Sequence, residues 1–303
     1  MIRPLPNLFA IATLFTHVFL PIQARADYIA SRLPALSPDK VVVYKKVADR
    51  NLFNQVDELE LRLFLPEGWA ATDKRPCLHL IHGGGWGGMD PSRMYPFAAD
   101  FAKRHGMVGI SVQYRLYQPG TATVFDCVKD ARSSVRYVRS HAAELGIDPG
   151  KILVSGGSAG GHLAAATALF DGVNEETDDL KVPCRPDAMV LLFPVIDTSA
   201  AGYGQAKIGD RWQELSPVHH VRAGLPPTLT FHGTGDTVTP FSGAKAFHEA
   251  MLAAGNESVL DVNEGGKHGY LMFEEALYED TLAKTAAFLT RLGFLPTTQP
   301  AQP

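Results

Sequence analysis

Strand-like and helix-like patterns alternate from about Cys77 to Leu292, which predicts an α/β fold with a mostly parallel sheet covered by helices on both faces. Two further observations point the same way. The apolar runs at Cys77–Ile81, Val108–Tyr114, Lys151–Ser155, Ala188–Phe193 and Thr228–His232 are short and nearly continuous, as strands buried on both faces are. The stretches rich in glycine, histidine and acid (His82 to Trp86, the turn at Ser158, Asp236 and His268) each follow a predicted strand, and loops at the carboxyl ends of parallel strands are where such sheets carry function.

The 303 residues, 46% hydrophobic and 20% charged, suit one large globular domain or at most two small ones. A formal charge of -4, a pI near 6.3 and the absence of any Lys/Arg cluster argue against a nucleic-acid partner. Arg3, the apolar stretch Leu8 to Ile22 and the small-x-small site Ala24-Arg25-Ala26 read as a secretory signal peptide over residues 1–26. A retained surface anchor or an ordinary apolar segment is the alternative. The stretch is short for a membrane span and contains His17 and Pro21, so stable membrane insertion is not expected. Signal cleavage near Ala26 would place the protein in the periplasm or outside the cell. Residues 27–295 then form a single domain, and 296–303 a disordered Pro/Gln/Thr tail. Cys77, Cys127 and Cys184 have no metal-ligand spacing and read as buried free thiols, although export would permit one disulfide.

In chain order, Asp27 to Lys40 has weak helical signs, while Val41–Tyr44 and the alternating Leu59–Leu65 are expected to pair as an antiparallel edge. Helices are predicted at Tyr95–His105, and from Val124, where Val128, Ala131, Val135 and Val138 form one apolar face. Asp148-Pro149-Gly150 turns the chain into the strand before Ser158, and an alanine-rich helix follows to Phe170. Residues 171–185 are a polar loop, and 195–221 lack a strong pattern and suggest a small lid or pocket wall. A helix at Phe241–Ala253, a strand at Ser258–Val262, a glycine loop around His268 and a helix at Phe273–Leu292 complete the domain.

Ser158 lies between a strand and a helix, crowded by Gly156, Gly160 and Gly161, as a strained turn displaying one hydroxyl requires. A serine hydroxyl becomes nucleophilic when an imidazole takes its proton, and the imidazole is oriented by a carboxylate. Asp236 and His268 are the candidates, each in a glycine-bearing loop after a strand. Taken alone, Asp236 could be a helix cap or turn former, and Gly83 to Gly85 a flexible turn. A phosphate-binding loop is disfavoured because the glycine run lacks the Walker lysine and the Gly-x-Gly-x-x-Gly spacing. The backbone N–H groups of Gly84, Gly85 and Ala159 are candidates to receive oxyanion charge, with Gly83 and His82 in support. His162 is expected to pack or cap, and His232 to support the Asp236 loop. Trp86, Tyr114, Tyr203, Trp212 and Tyr270 are candidates for the substrate pocket, with core packing as the alternative for each. No motif calls for a metal or cofactor.

His82-Gly83-Gly84-Gly85-Trp86, Gly156-Gly157-Ser158-Ala159-Gly160-Gly161, His232-Gly233-Thr234-Gly235-Asp236 and His268-Gly269, in that order, resemble the esterase/lipase branch of the α/β-hydrolase superfamily from about Leu59 to Leu292. Gln113-Tyr114-Arg115-Leu116 and Ser216-Pro217 extend the likeness. The resemblance implies eight strands, the first strands antiparallel to the rest, and hydrolysis of carboxylic esters through an acyl-enzyme. Relatives usually carry aspartate before the nucleophile, where this chain has Gly157. It is similar to secreted esterases that remove acetyl or feruloyl groups from plant polysaccharides, which implies a small-molecule or oligosaccharide ester as substrate. The alternatives are a serine peptidase of the prolyl-oligopeptidase type and a non-catalytic hydrolase-fold binding protein.

Overall fold

A computed structural model of the protein describes residues 27–47 and 58–297. The expected signal peptide and residues 298–303 of the expected tail lie outside the described residues. The strands are β1 (Lys40–Lys46), β2 (Glu58–Phe64), β3 (Arg75–Ile81), β4 (Val108–Val112), β5 (Ile147–Gly157), β6 (Ala188–Leu192), β7 (Thr228–Gly233) and β8 (Ser258–Asn263). They form one sheet in the order β1-β2-β4-β3-β5-β6-β7-β8. Pairing is parallel from β4 through β8, and antiparallel between β1 and β2 and between β2 and β4. Only β2 therefore runs against the rest, which corrects the expectation of several antiparallel strands at the start. Two successive reversals return β1 to the common direction.

The continuous apolar runs follow from burial on both faces. In β3, Cys77 and Ile81 enter one core while Leu78 and Leu80 enter the other; in β6, Met189 and Leu191 oppose Ala188, Val190 and Leu192 in the same way. The first core lies under α3 (Val124–Ser140), α4 (Ala159–Leu169) and α6 (Phe241–Ala253). The second lies under α1 (Tyr28–Arg32), α2 (Tyr95–His105) and α7 (Glu275–Arg291). The apolar face read for α3 is buried, and its start is set by a capping box in which Thr123 and Asp126 exchange hydrogen bonds. The Asp148-Pro149-Gly150 turn is a bulge inside β5, where pairing with β3 jumps from Ile147 to Ile152. Cys77, Cys127 and Cys184 are free and buried.

Candidate active site

The turn at Ser158 changes strand into helix across a single residue, since β5 ends at Gly157 and α4 begins at Ala159. Ser158 itself takes φ 57° and ψ −121°, a left-handed conformation costly for a residue with a Cβ. Backbone contact makes that shape compulsory. A Cβ on Gly160 would lie 2.0 Å from the Ile81 carbonyl oxygen, and one on Gly156 would lie 2.4 Å from that of Gly160. The Ser158 N–H donates to Leu192 O, and Ser158 O accepts from the amides of His162 and Val195. The end of β3 is thus pressed against the start of α4, which brings the loop after β3 to the nucleophile turn.

Gly157, the departure from the commoner aspartate, also has a steric reason. A Cβ there would lie 2.9 Å from Cζ of Phe193. Phe193 follows β6 at φ 37°, and its ring meets the His268 ring edge-on with centroids 5.1 Å apart. The ring of Phe193 occupies the space above Gly157 and flanks the imidazole.

His268 Nε2 is 2.9 Å from Ser158 Oγ, and His268 Nδ1 is 2.8 Å from Asp236 Oδ2. The sequence-predicted serine, histidine and aspartate therefore form one hydrogen-bonded chain. The second oxygen of Asp236 accepts from the amides of Val238 and Thr239 at 2.8 and 2.9 Å, and Thr239 Oγ1 donates to Oδ2 at 2.9 Å. Burial pushes the Asp236 carboxyl up, but the His268 hydrogen bond and these amides outweigh it and hold it below the ordinary carboxylate range. Its side chain is fully buried while that of His268 is 24% exposed, so the acid is shielded and the base faces the site entrance. Glycines again permit the assembly. A Cβ on Gly233 would lie 2.0 Å from Gly266 O, so the loops carrying acid and base touch through bare backbone. His232 sits beneath them with Nε2 2.7 Å from Thr239 O, and burial lowers its pKa. Thr239 and Phe193 were not singled out from sequence; the signal available for Thr239 was its place three residues after the acid and before Pro240.

The loop after β3 places Gly84, Gly85 and Trp86 at φ 100°, 60° and 63°, three successive residues in left-handed backbone. Gly83 is so close to the nucleophile that a Cβ on it would lie 3.3 Å from Ser158 Cβ. Each carbonyl from His82 to Trp86 has a donor. His82 O accepts from the Tyr114 hydroxyl at 3.0 Å, and Gly83 O from His82 Nδ1 at 2.9 Å. Gly84 O accepts from Gly87 N at 3.2 Å, and Trp86 O from Tyr117 N at 2.8 Å. Gly85 O accepts from Lys207 Nζ at 2.9 Å. Since a trans peptide points its N–H opposite its C=O, fixing these carbonyls fixes the amides that follow them, including those of Gly84 and Gly85.

The aromatic candidates separate. Trp86 is 0% exposed and Tyr114 2%, so neither lines an open pocket. Trp86 Nε1–H donates to His162 Nδ1 at 3.2 Å, and His162 Nε2 lies 2.7 Å from Leu215 O. Burial lowers the pKa of both His82 and His162 to about 4, so both imidazoles are neutral at pH 7. Tyr114 stacks on His82 with centroids 4.4 Å apart. Tyr270 is buried among apolar residues of the second core, which also removes it from an open pocket. Tyr203 is half-buried, tilted against Trp86, and Trp212 is half-buried with its ring edge-on to His219. Segment 195–221 contains α5 (Gln205–Ile208) followed by short 3-10 turns, and through Tyr203, Lys207 and Leu215 it touches the glycine loop and its support. Sequence reasoning also missed the ion cluster behind Tyr114. Arg115 makes two bonds of 2.8 Å to the fully buried Asp130, which Lys45 meets at 2.5 Å, and Glu175 joins both cations. Burial raises the Glu175 carboxyl, but the Lys45 and Arg115 charges prevail and lower it to about 2. Among the described residues, no group of three or more His, Cys, Asp or Glu is placed to hold a metal ion. No helix among them is long and apolar enough to cross a membrane.

Comparison with known proteins is consistent with this geometry. Thermogutta terrifontis esterase 2, solved phosphoramylated by tabun, superposes with a TM-score of 0.79 at 40% identity, covering 86% of this chain and 96% of that one. The chain belongs to the α/β-hydrolase superfamily. A Schizosaccharomyces pombe protein of that superfamily, C1039.03, is 36% identical over 71% of this hydrolase and 69% of its own length. Carboxylesterase NlhH of Mycobacterium tuberculosis is 29% identical over 78% of this hydrolase and 79% of its own length. The BD-FAE family model matches residues 61–200, and the prolyl oligopeptidase family model residues 187–293. Esterase 2 has also been solved with propionate and with butyrate bound. The hydrolase spans about half the length of other curated relatives that it matches, 50% and 48%. The domain is a carboxylesterase-type serine hydrolase.

Proposed function

We propose that this hydrolase cleaves short-chain acyl esters or the acetyl and feruloyl esters of plant polysaccharides, with Ser158, His268 and Asp236 as its catalytic residues. The observation that carries this reading is the unbroken chain from Ser158 Oγ through both ring nitrogens of His268 to Asp236. His268 takes the proton of Ser158 as Oγ attacks the ester carbonyl. The amides of Gly84, Gly85 and Ala159 receive the charge on the carbonyl oxygen; one such donor typically contributes about 3 kcal/mol to the transition state. His268 then hands its proton to the leaving alcohol, the acyl group remains on Ser158, and a water deprotonated by His268 releases the acid. Asp236 stays ionised throughout because its hydrogen bonds hold its pKa down. The short-chain preference is supported by the propionate- and butyrate-bound forms of the related esterase, and the polysaccharide esters by the sequence motifs that resemble secreted acetyl and feruloyl esterases. Export through the signal peptide expected over residues 1–26 would bring the enzyme to such substrates.

The test compares initial rates on two-carbon and long-chain aryl esters, acetate and ferulate release from xylan fragments, and a prolyl amide. An organophosphonate probe should label Ser158, and Ser158→Ala should abolish both labelling and turnover. Retained turnover in Ser158→Ala overturns the nucleophile, and faster cleavage of the prolyl amide than of any ester overturns the ester reading in favour of a peptidase. N-terminal sequencing of the protein recovered outside the cytoplasm should begin at Asp27; recovery only in the cytoplasm with an intact leader sinks the export proposal.

A further inference from the structure

Of the five carbonyls from His82 to Trp86, four are held by donors from the segment after β4 or from the loop itself. The fifth, Gly85 O, is held by Lys207 Nζ, which comes from α5 in segment 195–221. The ammonium also lies 3.3 Å from the Tyr203 hydroxyl. It sits over the rings of Trp86, Tyr117 and Tyr203 at 6.0, 5.8 and 5.5 Å from their centroids, and makes no ion pair among the described residues. Contact with the loop is close enough that a Cβ on Gly85 would lie 2.6 Å from Tyr203 Oη and 3.0 Å from Lys207 Nζ. A lysine half-buried without a carboxylate is stabilised there by the π faces and the carbonyl dipole. In return it fixes the Gly85–Trp86 peptide, the last of the left-handed run.

We propose that Lys207 is a positioning residue for the oxyanion loop: its ammonium, seated on the Trp86, Tyr117 and Tyr203 rings, clamps the Gly85 carbonyl and holds the loop amides in reactive register. Segment 195–221 thereby completes the site instead of merely walling it. The clamp rests on the esterase reading, because its effect is on the transition-state oxygen and not on ground-state binding. Lys207→Met keeps the apolar stem and removes the bond. It should lower kcat on a two-carbon aryl ester at least tenfold with KM within threefold. Binding of an aryl trifluoromethyl ketone, which becomes a tetrahedral oxyanion on Ser158, should weaken by the same factor. Lys207→Arg should restore both to within threefold of wild type. A kcat for Lys207→Met within threefold of wild type, or a lower kcat with undiminished ketone binding, overturns the clamp. If Lys207→Met does not fold, Lys207→Gln carries the same test with the same thresholds. A wild-type enzyme that neither cleaves esters nor binds the ketone would instead overturn the esterase reading.

Discussion

The turn at Ser158 and the glycine loop after β3 are both left-handed stretches after neighbouring parallel strands, yet they are held in opposite ways. At Ser158 the shape is forced locally by glycines pressed against carbonyls of the next strand, with Gly160 against Ile81. In the loop from His82 to Trp86 much of the hold comes from outside: the segment after β4 and α5 reach the backbone through Tyr114 and Lys207, and His162 of α4 holds the Trp86 side chain. The turn is rigid because there is no room for anything else. The loop is rigid only while its distant supports stay in place, so damage to it should appear first in turnover and damage to the turn first in folding.

The largest effect is expected at the turn. Gly160→Ala puts a Cβ where only 2.0 Å is available to the Ile81 carbonyl, and main chain cannot move aside cheaply. It should cost about 3 kcal/mol or more, seen as insoluble protein or a large fall in the urea midpoint. A soluble variant of wild-type stability would break the contrast.

Acid should attack the loop's supports next. His82 and His162 titrate near 4 in the folded protein against about 6.5 when unfolded, so the unfolded chain takes up protons first as pH falls. Their contribution is fully present above pH 6.5 and is lost as pH falls from 6.5 towards 4, by roughly 3 kcal/mol per histidine at the lower limit. Protonated His162 could also no longer accept from Trp86. Urea midpoints at pH 7 and 4.5 check this; a flat profile refutes the neutral-imidazole ties.

Tyr114→Phe removes the hydroxyl from His82 O and leaves the ring stack intact. A fall in kcat of about tenfold, equivalent to about 1.4 kcal/mol, is expected with stability changed by only about 1 kcal/mol. The smallest effect is predicted for Gly157→Ala. Its Cβ meets a phenyl ring instead of main chain, so Phe193 can tilt, at a cost of about 1 kcal/mol together with a modest loss of kcat as the ring beside His268 shifts. A destabilisation equal to that of Gly160→Ala would show that the two glycines are not distinguished by what they touch.

Most of the layered fold was legible because burial on both faces writes itself into a sequence as short continuous apolar runs, as in β3 and β6. What escaped was the direction of β1, since periodicity marks a strand but not which way it runs. The Ser158 turn was legible for a local reason, its glycines standing beside the residue they constrain. Trp86 and Tyr114 were harder to interpret, because an aromatic after a glycine loop looks the same whether it lines a pocket or plugs the core. Their neighbours, His162 and His82, settle the matter only in three dimensions.

The amino-acid sequence alone pointed to the alternating α/β architecture, the strained serine turn and the residue types of the triad, because each strand, helix and glycine-bearing loop is marked by a local pattern and the order of those patterns is read directly along the chain. Tertiary structure alone decided that Gly157 makes room for Phe193, that Thr239 braces the acid, and that Lys207 reaches back across the chain to the Gly85 carbonyl. The Gly157–Phe193 and Lys207–Gly85 contacts join segments far apart in sequence, and a distance that depends on how separate segments seat against the sheet leaves no periodicity to read.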